Sequence, residues 1–136
     1  MIGDDAFNLA EVMAEVRAAF DLYEAALRRH DSGALNDFFV QRADTARFGL
    51  AEHNYGADEI AAWRRASAPV PAARRLLKVL IVTFGRDAAS ASAEFTDGGS
   101  ATLVGRQSQL WIRTPAGWKI AAAHVSRIDA NRVARD

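Results

Sequence analysis

Cysteine is absent from this 136-residue chain. Disulfides, thiol nucleophiles and thiolate-bound metals are therefore excluded. Proline is scarce, three residues in all, and two of them, Pro69 and Pro71, fall together in SAPVPAA. No apolar run approaches the ~18 residues that a membrane-spanning helix needs. Neither sign of charge dominates: 17 Lys and Arg stand against 17 Asp and Glu. A neutral chain has no bulk electrostatic grip on nucleic acid or an anionic membrane. Neither is expected as a partner, and any positive charge that matters must be local. His30, His53 and His124 are dispersed, without the spacing of a metal site. No metal and no cofactor are expected. The start, MIGDDAFNLAEV, has no basic stretch followed by an apolar one, so it does not read as a secretory signal. A cytoplasmic protein is the expectation.

What is present suits one globular domain: 50% hydrophobic and 25% charged residues, in a length that fits one core. The expected domain spans 1–136, with its core at about 8–128 and a frayed tail from Asp129 onward. Asn8 to His30 reads as a long amphipathic helix. Val12, Val16, Phe20, Tyr23 and Leu27 recur at spacings of four, four, three and four, which is one helical stripe. Asn8 with Glu11 resembles a capping box. Arg17 with Asp21, and Glu24 with Arg28, stand four apart and are expected to pair on the wet side. Tyr23 lies in the apolar stripe, so its ring points inward. A buried phenol finds a hydrogen-bond partner: Tyr23 is either a core tyrosine bonded to a backbone carbonyl or a hydroxyl at a pocket floor.

A short helix over Gly33–Phe39 follows. In TARFGLA, Thr45–Ala51, the alternation sets Arg47 against Phe48 and Leu50. Arg47 is a solvated strand charge if those two face the core, or an anion ligand if it points into a concave sheet. Glu52–Gly56 reads as a hairpin return, and Asp58–Ser67 as a third helix with Ile60, Trp63, Arg64 and Ser67 on one face. Trp63 suits packing, and Arg64 beside it is a second candidate anion ligand. After the proline connector, Arg74–Arg86 and Ala88–Thr96 read as strands, and small residues in the second suit close packing against a second subunit. Leu103–Ser126 is a hairpin around Thr114-Pro115-Ala116-Gly117. If Arg113 and Trp118 are neighbours, Trp111 lies across from Ile120, Gln109 from Ala122 and Gln107 from His124. One face then carries Gln107, Gln109, Trp111, Trp118, Ile120 and His124, a set that suits the wall of a small polar pocket. Arg106 and Ser108 fall on the other face, unless a bulge reverses the assignment.

The order α-α-β-β-α-β-β-β-β predicts an α+β domain in which a curved antiparallel sheet wraps a long N-terminal helix. Its open end would let Tyr23, Arg47 and the hairpin face converge on one hollow. This order, with the ending GWKIAAAHVS, resembles the cone-shaped nuclear-transport-factor-2-like, or SnoaL-like, superfamily. FDLYEAAL (Phe20–Leu27), ARFGLAEHNYG (Ala46–Gly56), VTFGRDAASASAEF (Val82–Phe95), GRQSQLWIR (Gly105–Arg113) and the same ending are similar to the AtzH-like family, which includes proteins of oxalurate catabolism.

That resemblance implies a decarboxylating amidohydrolase that turns 1,3-dicarboxyurea into allophanate in cyanuric acid, or s-triazine, catabolism. It implies Tyr23 and Arg47 as catalytic residues. The residue types suit the chemistry. A guanidinium offers a planar fork to a carboxylate, and a phenol can serve as general acid or donor to the nitrogen released with carbon dioxide. Gln107, Gln109 and His124 are expected to add donors toward developing charge, with Arg64, Trp63 and Ser108 as further substrate-binding candidates. The expected partners are a small dianionic carboxylated urea, a second copy of the chain, and a pathway amidase. The alternatives are a ureide (oxalurate) catabolism protein, or a non-catalytic dimeric binding module that accompanies an amidase.

Overall fold

Val12, Val16, Phe20, Tyr23 and Leu27 form one buried stripe in the computed structural model, which describes residues 1–133. They lie on α1 (Ala10–Arg29), which His30 closes in a left-handed conformation, φ 54°. Asp31 then caps α2 (Ser32–Asp37), its carboxylate accepting from the Ala34 N–H at 3.1 Å. Next come β1 (Ala46–Phe48), β2 (His53–Tyr55) and α3 (Ala57–Ala66). The chain ends in four long strands, β3 (Arg75–Phe84), β4 (Ala88–Thr96), β5 (Leu103–Thr114) and β6 (Gly117–Asp129). The fold is the expected α+β arrangement. One six-stranded sheet runs β2-β1-β6-β5-β4-β3, antiparallel except where β1 meets β6 in parallel.

Two expectations about α1 are corrected. Asn8 does not cap the helix; it sits at φ 57° and its side-chain oxygen accepts from the Thr83 N–H at 3.0 Å, tying the N-terminal segment to β3. Glu24 does not pair with Arg28 in water; it is buried and bonded to Arg74, while the Arg17–Asp21 pair forms as expected at 3.5 Å. The tail differs as well. Asp129 belongs to β6 and Ala130–Arg132 forms a 3-10 turn; the rest of the expected frayed tail, 134–136, lies outside the described residues.

The final hairpin keeps its expected register near the turn, with Arg113 opposite Trp118 and Trp111 opposite Ile120. A bulge then intervenes. Leu110 pairs with Ala122, so Ala121 is the extra residue on β6. Every later partner moves by one: Gln109 faces Ala123, Gln107 faces Val125, and His124 faces Ser108. The inner sheet face carries Gln107, Gln109 and Trp111 of β5 beside Ala93, Ala91 and Ala89 of β4. Those alanines face the core. They leave room for the large β5 side chains rather than meeting a second subunit; Ser90 and Ser92 are the small residues that point outward. Between α1 and this face lies a packed core that includes Leu35, Phe39, Ile60, Ile81, Trp111 and Ile120.

One close approach depends on glycine. Phe95 lies directly over Gly105, where an added Cβ would stand 2.2 Å from the ring. The same ring also meets a charge, with the Arg74 guanidinium 4.1 Å from its centroid.

Candidate functional site

Among the described residues the buried charged groups, Glu24, Arg47, Arg64 and Arg74, gather in two clusters, each reaching α1. The first brings α1, α3 and the β1–β2 hairpin together. Tyr23 is packed edge-on against Phe38, Phe39 and Trp111, with centroid distances of 5.6, 6.3 and 6.3 Å. Its hydroxyl accepts from Arg64 Nη2 at 3.3 Å. Because the oxygen accepts there, the phenol's own proton is free to point elsewhere. The partner is thus not a backbone carbonyl; it is a cation from α3.

Arg64 is 5% exposed, and among the described residues its Nε has no hydrogen-bond partner. Among the described residues no carboxylate pairs with it. Burial holds its pKa below the usual arginine value, and the nearby Arg47 charge pushes the same way. Tyr23 and the field of Glu52 oppose that shift. Tyr23, Arg47, Glu52 and Arg64 therefore share one electrostatic neighbourhood. Trp63 links the two arginines, with the Arg47 guanidinium 3.8 Å and the Arg64 guanidinium 4.8 Å from its ring centroid.

Arg47 faces inward and is buried; Phe48 takes the opposite face, packed on His53, Tyr55 and His124, and Leu50 is exposed. This settles the alternation of Thr45–Ala51 in favour of an interior arginine. Arg47 Nη1 donates to Glu52 Oε1 at 2.7 Å, and the Ala51 N–H holds the other Glu52 oxygen at 3.1 Å. Gly49 makes that placement possible, since a Cβ there would stand 1.7 Å from the carboxylate. Two guanidiniums thus face one carboxylate, which leaves one positive charge unmatched in a site shielded from water.

The second cluster is Glu24, Arg74 and Gln107, all buried. Arg74 Nη2 reaches both Glu24 oxygens, at 3.2 and 3.4 Å, and Gln107 Oε1 at 3.0 Å. The Gln107 amide donates to Glu24 at 2.9 Å. Gln107 is therefore engaged in a closed network. Gln109 is engaged as well, accepting from the Trp111 indole at 3.0 Å.

Of the residues singled out from sequence, Tyr23, Arg47, Arg64 and Trp63 come together. Gln107 and Gln109 face inward but are occupied by neighbours. His124 and Ser108 do not join them: Ser108 lies on the outer sheet face by the alternation of β5, as expected, and the bulge turns His124 to the same face, where both border an open depression of about 390 Å³ with Phe48 and Leu110. That corrects the expected convergence of His124 with Gln107. The expected hollow under α1 is also altered, because its middle is the packed core. A second open depression of about 390 Å³, beside Arg42, Tyr55 and Glu59, is likewise not lined by Tyr23 or Arg47. Glu52 and Glu24 were missed as interior groups. A turn acid five residues from a strand arginine was the only local signal for the first.

A long helix held in a curved sheet, with polar groups at one end, defines the nuclear-transport-factor-2-like class, which also carries the name cystatin-like. Solved structures of that class match the chain. A nuclear-transport-factor-2-like protein of unknown function from Pseudomonas putida has a TM-score of 0.67 at 17% identity over 83% of this chain and 84% of its own. More specifically, the chain belongs to the AtzH-like family, whose model matches residues 5–131. A protein of unknown function from Pectobacterium atrosepticum is 43% identical, with a TM-score of 0.91 over 95% of this chain and 100% of its own. A cystatin-like fold protein from Burkholderia xenovorans is 45% identical, with a TM-score of 0.87 over 90% and 96% of the two chains. Among curated proteins none matches. No helix among the described residues is long and apolar enough to cross a membrane.

Proposed function

We propose that the chain is a decarboxylating amidohydrolase of a small carboxylated urea, with 1,3-dicarboxyurea as substrate and allophanate as product. The observation that carries the reading is the buried, carboxylate-free Arg64 bonded to the Tyr23 hydroxyl within the field of Arg47. An uncompensated buried cation costs several kcal/mol, and an anionic ligand offsets that cost.

In this reading Arg47 holds a carboxylate through its planar fork, and Trp63 fixes the guanidinium from one side. Arg64 occupies the acceptor side of Tyr23, so the phenol proton is directed to the substrate nitrogen. The N–C bond to the departing carboxylate breaks, its electron pair goes to nitrogen, and carbon dioxide leaves. Tyr23 delivers the proton that nitrogen requires. The phenolate left behind is stabilised by Arg64 until water returns a proton. Gln109 and Gln107 support Trp111 and Glu24 rather than touching substrate. The outer sheet face, with Leu80 and Leu110 exposed on it, is where this reading places a second copy of the chain.

The test is carbon dioxide release by the purified chain from freshly generated 1,3-dicarboxyurea and from oxalurate. Tyr23→Phe and Arg47→Ala are expected to lower turnover at least ~100-fold, the lower range for a general acid. Near-normal rates in both variants would reject the mechanism. Turnover of oxalurate alone would move the protein to ureide catabolism. Activity that requires an added amidase would make it a binding module.

A further inference from the structure

Glu52 stands where a ligand carboxylate should stand. Its Oε1 lies 2.7 Å from Arg47 Nη1, and Nη1 is the one Arg47 nitrogen bonded among the described residues. The two side chains differ in how they are held. Arg47 is 9% exposed and braced on Trp63, whereas Glu52 is 21% exposed and sits on the turn between β1 and β2. The glycine beneath it, Gly49, puts no side chain in its path. Arg64, on the same Trp63 ring, has no carboxylate partner among the described residues.

Charge then separates two kinds of ligand. With Glu52 on Arg47, only one positive charge is unmatched, so a monocarboxylate neutralises the site without moving anything. A dicarboxylate brings one negative charge too many unless Glu52 leaves. We propose that Glu52 is a resident counter-ion, exchanged for the second carboxylate of a small dianion that spans Arg64 and Arg47. Its release also uncovers Arg47, which the depressions described above do not reach. Glu52 is thus a specificity-determining residue: it lowers the site's affinity for dicarboxylates relative to a site without it, and it keeps Arg47 in place while the site is unliganded. The inference rests on reading Arg47 and Arg64 as an anion site.

The experiment is calorimetric titration of the purified chain with malonate, and with acetate as the monocarboxylate, alongside the 1,3-dicarboxyurea assay. Glu52→Gln keeps the shape and removes the charge. It is expected to tighten malonate binding by about tenfold or more, the factor that one charge-assisted hydrogen bond corresponds to, and to change acetate binding less. Glu52→Asp keeps the charge but falls short of Arg47, so its malonate affinity should lie between wild type and Glu52→Gln; it carries the test if Glu52→Gln does not fold. Unchanged or weaker malonate binding in the variants would overturn the exchange and make Glu52 a brace for Arg47. Absence of malonate binding in every form would overturn it as well. Tighter malonate binding together with no turnover of 1,3-dicarboxyurea would leave the exchange standing and reject the proposed reaction.

Discussion

The Glu24–Arg74–Gln107 network offers a prediction whose size follows from the structure. Arg74 is 4% exposed, and among the described residues its side-chain hydrogen bonds run to Glu24 and Gln107 alone. In Glu24→Leu the guanidinium keeps one neutral acceptor and loses its only counter-charge. Breaking a buried pair from one side costs ~3–5 kcal/mol, a large share of the ~5–15 kcal/mol that holds a domain together. With a urea dependence near ~1.5 kcal/mol per molar, the unfolding midpoint should fall by about 2–3 M. Replacing both partners, Glu24→Leu with Arg74→Met, removes the stranded charge. What remains is the unpaired Gln107 amide, at ~1–3 kcal/mol. The double variant should therefore be more stable than Glu24→Leu, a strong negative coupling in a double-mutant cycle. Urea unfolding followed by circular dichroism measures all four proteins. A loss under ~1 kcal/mol in Glu24→Leu, or a double variant that loses the sum of the singles, would refute the view that this charge is sealed from water.

Two further outcomes follow. Gly105→Ala drives a methyl into the Phe95 ring, whose nearest atom would lie 2.2 Å away; overpacking of this kind costs ~1–3 kcal/mol, and a melting temperature equal to wild type would contradict it. Glu15 accepts from Arg113 and from the Trp118 indole, and the Arg113 bond, then the Trp118 bond, hold its pKa below the usual carboxylate value of 4.5. A depressed folded-state pKa stabilises above the unfolded value and is lost as pH falls through the folded one. Thermal melts should therefore drop on acidification below about pH 4.5, and Glu15→Gln should flatten that drop; an identical acid slope in both proteins would count against the contact.

Much of the fold was legible because its signals are periodic. The stripe from Val12 to Leu27 repeats with one helical turn, and Trp111 opposite Ile120 follows from a four-residue turn. The bulge was not legible. Ala121, Ala122 and Ala123 have the same side chain, so no pattern of size or polarity marks which of them is extra. His124 was assigned to the wrong face for that reason alone. Glu24 was misread because it stands four residues from Arg28, a local partner that looked sufficient, while its true partner lies 50 positions away. Arg47 and Arg64 were candidates by type. Their meeting over Trp63 was not legible, because nothing local couples a β1 residue to one 17 positions later on α3.

The extra alanine on β6 has a consequence for how this curved sheet could be reshaped. Without it, the pairs on either side, Leu110 with Ala122 and Trp111 with Ile120, would follow one another in an uninterrupted ladder. Excising the alanine would leave each flanking side chain on its present face and subtract only curvature. The bend of the sheet is thus set by a length of backbone, separately from the chemistry of the groups it carries.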